Sequence, residues 1–221
     1  MKICVIIPVH NEGETIGRLV AAARKKGIDV VVIDDGSTDG SGAKAEQEGG
    51  MVLANRVRQG KGLSLQKGFD YAVRHGYDGV ITIDGDGQHD VGDIDSFLAM
   101  IAKEPVSVIT GTRMANPKGM PWTRLLTNRV MSFLISIVCG QRIPDTQCGY
   151  RYIHSDVLKS IHLNSRDFEI ETEVLVEACK KGYSIISVPI KTIYRGETSD
   201  INPITDTVRF VRYLMRELFK R

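Results

Sequence analysis

The sequence predicts an α/β protein built on one mostly parallel sheet flanked by helices. Two observations carry that prediction. Short β-branched runs alternate with longer helical patterns through the first half of the 221-residue chain. That βαβ alternation calls for a mostly parallel sheet covered by helices on both faces. The residues just past each run are polar and rich in carboxylates, at the strand ends where such folds gather their ligands.

Taken in order, Ile3 to Val9 is the first strand, a helix runs from about Glu12 to Lys26, and a second strand covers Asp29 to Ile33. A helix follows Thr38. The rhythm continues with a strand near Met51 to Ala54, a helix Leu63 to His75 and a strand Gly79 to Ile83, then a helix near Asp90 to Ala102 and a strand Val106 to Thr110. After Arg113 it breaks. A loop, Met114 to Pro121, leads into an apolar helical pattern from Trp122 to about Gly140, and a loop holding Asp145-Thr-Gln-Cys-Gly-Tyr-Arg151 comes next. A helix Glu169 to Lys181, a strand-like run Ser184 to Val188 and a basic amphipathic segment Thr205 to Arg221 complete the chain. No repeat, low-complexity tract or linker interrupts it, so a single domain is expected over residues 1–221, with halves 1–113 and 114–221.

With 42% hydrophobic and 25% charged residues the chain can bury one good core. A net charge of +2 is too mild for a nucleic-acid binder, whose domains carry a concentrated basic stripe. Cys4, Cys139, Cys148 and Cys179 are scattered, with no C-x-x-C pair and no zinc-ligand spacing, which reads as reduced thiols of a cytoplasmic protein. Residues 1–9 are apolar but lack a cleavage pattern, so they read as a core strand rather than a signal peptide. Val130 to Cys139, the longest apolar stretch, is too short to span a bilayer.

The stretch V-I-T-I-D-G-D-G-Q sets Asp84 and Asp86 just beyond a buried strand, where two carboxylates can converge on one hard cation such as Mg²⁺ or Mn²⁺. A plain Asp/Gly turn closing the strand is the bland alternative. A calcium loop is excluded, because its sixth position must be Gly and here is His89. Asp34-Asp35-Gly36-Ser37 ends the second strand on the same rim, suited to ribose hydroxyls or base N–H groups, or to a turn whose Ser37 or Asp39 caps the next helix. Pro8-Val9-His10-Asn11-Glu12 stands where a dinucleotide-binding fold would carry G-x-G-x-x-G, which argues against a dehydrogenase. Gly60-Lys61-Gly62 opens a helix and offers N–H groups and a lysine to phosphate, though not with Walker A spacing; a flexible loop serves equally.

In order across nearly the whole chain, I-I-P-V-H-N-E, V-V-I-D-D-G-S-T-D-G, G-K-G, I-D-G-D-G-Q-H, G-T-R, D-T-Q-C-G-Y-R, F-E-I-E and Y-R-G-E-T-S resemble family 2 glycosyltransferases of the GT-A (Rossmann-like) fold. Within that family they resemble the polyprenyl- or dolichyl-phosphate mannose or glucose synthases. The resemblance implies that Pro8, His10, Glu12, Ile33, Asp34 and Asp35 hold the nucleotide. It implies that Asp84, Gly85 and Asp86 follow the D-x-D pattern, with Asp86 and Gln88 nearest the metal. His10 stands where relatives often have Tyr. Arg113 and Arg195 would face the diphosphate or an acceptor phosphate, and Asp200 replaces a lysine that some mannose synthases carry. Cys148 stands where relatives often place a carboxylate or serine read as a general base. Asp145 remains a candidate for orienting the sugar or acting as base, against a loop-bracing role. Glu169 and Glu171 could reach the sugar, although helical glutamates are usually just solvated.

The implied activity is inverting transfer of a hexose from a UDP- or GDP-sugar to a polyprenyl phosphate. An acceptor sugar hydroxyl, with Asp145 the base, and an inactive nucleotide-sugar-binding subunit are the alternatives; the intact acidic rim argues against the latter. The apolar residues of 122–140, flanked by Arg124, Arg129 and Arg142, suit an interfacial helix at the cytoplasmic face of a membrane, a core helix or a homo-oligomer contact. In 205–221, Val208, Val211, Met215 and Leu218 share a face with arginines nearby, the pattern that attracts anionic headgroups.

Overall fold

The computed structural model describes residues 1–117, 119–167, 169–191 and 193. Arg195, Asp200 and the amphipathic segment Thr205 to Arg221 lie outside them. Seven strands form one sheet: β1 (Ile3–Val9), β2 (Asp29–Asp34), β3 (Met51–Ala54), β4 (Gly79–Thr82), β5 (Val108–Thr112), β6 (Arg151–His154) and β7 (Ile185–Pro189). Their order is β3-β2-β1-β4-β6-β5-β7. All neighbours are parallel except β6, which runs antiparallel to both β4 and β5.

The helices are α1 (Ile16–Lys25), α2 (Ser41–Gln47), α3 (Lys61–Arg74), α4 (Ile94–Lys103), α5 (Trp122–Cys139), α6 (Ser155–Ser160) and α7 (Glu169–Lys180). Because side chains alternate across a strand, β1 feeds two cores. Cys4 and Ile6 pack with Leu65 and Phe69 of α3 and with Leu175 of α7 on one face. Val5 and Ile7 pack with Ile16 and Leu19 of α1 and with Phe97 of α4 on the other.

The strand order reverses between β1, which leads to β2 and β3, and β4 on its other side. Such a switch opens a crevice at the carboxyl ends of the strands, which is where ligands of open α/β sheets bind. The antiparallel β6 delivers its first residue to the same rim: Arg151 pairs with Thr82 of β4 and Thr110 of β5.

Most elements fall where the hydrophobic pattern put them, but five differ, among them α4, which starts at Ile94 rather than near Asp90 because residues 91–93 form a 3-10 turn. Helix α1 starts at Ile16 rather than Glu12, because residues 12–15 form a turn in which the Glu12 carbonyl accepts from Thr15 N and Ile16 N. β5 is displaced two residues toward its carboxyl end. Residues 151–154 and 155–160 form β6 and α6, which are too short for either period to register.

Gly68 lets α3 ride close on the sheet, since a Cβ there would lie 2.7 Å from Ile6 Cγ2 and 3.3 Å from Ile33 Cδ1. Gly68→Val overpacks this contact and lowers stability by about 1–3 kcal/mol, a loss read in urea unfolding; an unchanged midpoint would contradict the packing described.

Candidate active site

Three bonded groups line the rim. The first joins the ends of β1 and β2. Asn11 holds a left-handed backbone, φ 58°, as a short polar side chain tolerates. Its amide N donates to Ser37 Oγ at 3.0 Å, and its side-chain oxygen accepts from Thr38 N at 2.8 Å. Glu12 N donates to Ser41 Oγ at 2.9 Å and Gly13 N to Asp39 Oδ2 at 2.7 Å, so the two loops are laced together. His10, half-buried, donates from Nδ1 to the Asp35 carbonyl at 2.9 Å. Asp34 accepts from Ser37 N within its own turn at 2.9 Å.

The buried Asp35 carboxylate accepts three bonds of 2.8 Å, from Asn55 Nδ2, Gln59 N and Gly60 N. It therefore braces the loop that leads into α3. Ile33 is a core residue opposite Pro8 in the sheet register. Pro8 in turn lines a small pocket shared with Lys61, Asp84, Gly149, Arg151 and Glu171.

The second group surrounds Asp84, just past β4. Lys61 Nζ, from the first turn of α3, lies 2.6 Å from Asp84 Oδ1 and 2.6 Å from Glu171 Oε1 on α7. His89 Nε2 sits 3.3 Å from Asp84 Oδ2, with its ring against Tyr150 and its buried Nδ1 without a hydrogen-bond partner among the described residues. Burial alone would raise the Asp84 pKa, but the Lys61 charge holds it well below the ordinary carboxylate range. Burial alone would lower that of Lys61; Asp84 and Glu171 push it above its usual value.

Asp86 behaves oppositely, being raised by burial and then by the Asp84 charge, while its Oδ1 accepts from Gln88 N at 2.9 Å. Two close approaches require glycine here. A Cβ on Gly85 would lie 2.7 Å from Val9 Cγ1, and one on Gly149 would lie 2.6 and 2.7 Å from the two Asp84 oxygens.

The third group is centred on Asp145, whose exposure is 0%. Arg113 grips its carboxylate with two side-chain bonds, Nε to Oδ2 at 2.8 Å and Nη2 to Oδ1 at 2.9 Å, and its own backbone N adds a third at 3.1 Å. Asn128 Nδ2 of α5 donates at 2.7 Å. Burial would raise the Asp145 pKa, yet the Arg113 bonds hold it below the usual carboxylate value. Cys148 on the same loop is fully buried, and its thiol is pushed up to about 12 by that burial.

Arg151, also buried, donates to the carbonyls of Cys148 at 2.8 Å, Thr146 at 2.8 Å and Glu171, and so fastens the loop to α7. The chain leaving β7 crosses the same rim. Ile190 N donates to Thr112 O at 3.1 Å, Lys191 N to Asp93 Oδ2 at 2.6 Å and Ile193 N to Gln88 O at 2.9 Å.

Asp84, Asp86 and Gln88 offer a divalent cation only hard oxygen donors, as Mg²⁺ or Mn²⁺ prefers, and the Asp86 carboxyl, raised by burial and by the Asp84 charge, would gain from a cation beside it. Among the described residues no three His, Cys, Asp or Glu side chains converge as a cage. A cation here would therefore complete its shell from water and ligand oxygens, which fits a site for phosphate-borne substrates.

Sequence reasoning singled out Asp84, Asp86, Arg113 and Asp145, and the structure places them on one rim, linked through Lys61 and the loop 145–149. It did not foresee that Lys61 would pair with Asp84 and Glu171, nor did it single out Asn128, Arg151 or His89. Asn128, Ser132 and Ser136, spaced by four along the helical pattern, were the available signal for polar groups on its inner face.

Asp145→Asn leaves Arg113 without its anion and destabilises the protein by about 3 kcal/mol near neutral pH. Because the folded Asp145 pKa is depressed, this stability is fully present above the unfolded value of 3.8 and is lost as pH falls through the lower folded value. Melting curves should accordingly converge for the two proteins as pH drops below about 4; a gap that widens with acid would refute the pairing.

Over 222 residues the chain is 32% identical to glycosyltransferase AglJ of Haloferax volcanii, covering 99% of this chain and 71% of the relative. It is 31% identical over 216 residues to a UDP-N-acetylglucosamine–dolichyl-phosphate N-acetylglucosaminyltransferase of Methanococcus voltae, covering 87% of this chain and 86% of the relative. Its fold superposes with a TM-score of 0.75 on glucosyl-3-phosphoglycerate synthase of Mycobacterium tuberculosis, solved with Mn²⁺, uridine diphosphate and phosphoglyceric acid, at 19% identity and covering 99% of this chain and 78% of that one. This architecture is the GT-A fold. The model of the family described as glycosyl transferase family 2 matches residues 4–161, and the chain is a glycosyltransferase belonging to that family.

Proposed function

We propose that this enzyme moves a sugar from a UDP- or GDP-sugar to a polyprenyl phosphate, with inversion at the anomeric carbon. One observation carries the choice of acceptor. Asp145, the strongest base candidate for a hydroxyl acceptor, has both oxygens engaged by Arg113 and is sealed from solvent. The Cys148 thiol beside it is held protonated. A hydroxyl generally needs a base to attack, whereas a phosphate is already an anion near neutral pH and needs positive charge to dock. Arg113, at the rim, supplies that charge, and Arg195 is expected to join it. The Methanococcus voltae relative, whose name specifies a dolichyl-phosphate acceptor, supports the same reading.

In this reading Pro8, His10, Glu12, Asp34 and Asp35 border the nucleotide, with Ile33 beneath it. The pocket of Lys61, Asp84, Arg151 and Glu171 receives the sugar, whose hydroxyls would exchange bonds with an already paired set of charges. Asp84, Asp86 and Gln88 would hold Mg²⁺ or Mn²⁺, which when bound neutralises charge on the departing diphosphate. The structure solved with Mn²⁺ and uridine diphosphate supports the nucleotide and metal parts of the proposal. An oxygen of the acceptor phosphate attacks the anomeric carbon as the bond to the diphosphate oxygen breaks. A lipid acceptor would also require contact with the cytoplasmic face of a membrane.

Asp86→Ala is expected to abolish Mn²⁺ binding measured by electron paramagnetic resonance, and turnover with it, while the melting temperature stays within a few degrees of wild type. Full activity in excess EDTA would overturn the metal assignment. The acceptor is tested by crossing UDP- and GDP-sugars with undecaprenyl or dolichyl phosphate and with neutral sugars. Transfer to the lipid phosphate is expected, and Arg113→Ala should reduce it by on the order of 10²-fold; robust transfer to a neutral sugar alone would sink the proposal.

A further inference from the structure

Helix α5 packs Met131, Leu134, Ile135 and Val138 against the core and yet leaves a second apolar stripe outside. Its buried positions are Asn128, Ser132 and Ile135, with Asn128 bonded to Asp145 and Ser132 bonded to Thr146. Its exposed apolar positions are Trp122, Leu126, Val130, Phe133 and Ile137, exposed by 74, 55, 50, 65 and 59%, with Thr123, Arg124, Thr127 and Arg129 exposed beside them. At 3.6 residues per turn these five fall within about 80° of the helix circumference and run about 22 Å along it. Among the described residues only Met1, Met51 and Val57 are other large apolar side chains in the exposed class, and none of them lies on α5. A helix normally turns such a stripe toward a core. This one must be covered by something else.

The surrounding charge selects the partner. From Pro105 to Pro144 the chain has no Asp or Glu and carries Arg113, Lys118, Arg124, Arg129 and Arg142. Arg129 lies at the edge of the stripe, one turn from Phe133. A second copy laid on this face would bring the same basic stretch against itself with no carboxylate from it to answer. An anionic bilayer offers an apolar interior for the stripe and phosphate headgroups for the arginines. Trp122, at the start of the helix, is the residue type that settles at the headgroup boundary.

We propose that α5 is a membrane-docking element, lying along an anionic lipid surface with Trp122, Leu126, Val130, Phe133 and Ile137 sunk into it. Its inner face is a wall of the Arg113–Asp145 group, so docking brings that group within about one helix diameter, 10–12 Å, of the lipid. The inference rests on the stripe and its charge, not on the identity of the acceptor.

Trp122 is the only tryptophan in the sequence and reports directly. Vesicles of phosphatidylcholine with phosphatidylglycerol, free of any polyprenyl phosphate, are added to the full chain without donor. The expected result is a blue shift of tryptophan emission, quenching by lipids brominated on their acyl chains, and co-sedimentation that weakens in pure phosphatidylcholine. Leu126→Ser/Phe133→Ser should cut partitioning by about tenfold or more, because two large apolar side chains no longer enter the bilayer, while UDP or GDP affinity by calorimetry is unchanged. Absence of quenching and sedimentation overturns the proposal. So does a stable dimer in sedimentation velocity without lipid that the double variant dissociates, which would assign the stripe to a second copy. Because no acceptor is present, vesicle binding succeeds or fails independently of the transferase reading.

Discussion

Carboxylates crowd one rim of this sheet, and a carboxylate taken out of water must be paired or hydrogen-bonded. For three of them the structure meets that constraint with partners drawn from elsewhere in the chain. Asp35, at the end of β2, is held by the loop before α3. Asp84, after β4, is held by Lys61 of α3, which also holds Glu171 of α7. Asp145 is held by Arg113 at the end of β5 and by Asn128 of α5. The same bonds that make the acidic rim tolerable therefore set where α3, α5 and α7 meet it. Removing one partner strands a buried charge, which costs more than the intact pair contributes.

The pairing is uneven, and the unevenness carries chemistry. Asp84 and Asp86 are two residues apart, yet Lys61 depresses one carboxyl while burial and the Asp84 charge raise the other. Groups whose environments push their pKa values apart commonly divide a task. Asp84 has Lys61 as its counter-cation, whereas Asp86 accepts a single backbone bond from Gln88 and is raised chiefly by burial. The Asp145 carboxylate, by comparison, has both oxygens taken by Arg113, which suits positioning better than proton transfer.

The fold was legible because short β-branched runs alternate with helical patterns, which placed every strand but one. The exception is β6. Four residues, Arg151–His154, with a buried arginine leading, match no period, and only tertiary pairing with β4 and β5 makes them a strand. At the site, residue type and strand-end position pointed to the acidic rim and to Arg113. They could not disclose that Asp35 and Asp145 are occupied by protein donors, because those donors lie 17 to 32 residues away in sequence. Helix α5 shows the opposite limit: its apolar pattern was plain, but which face looks inward depended on Asn128 reaching Asp145.

The bonds that hold Ile190, Lys191 and Ile193 to Thr112, Asp93 and Gln88 stitch three separate parts of the rim to one short stretch of backbone. Two of the three acceptors are main-chain carbonyls, which any residue supplies, and only Asp93 accepts through its side chain. Side-chain drift along this seam therefore leaves two of its three bonds in place, and Asp93 is the one acceptor a substitution can remove.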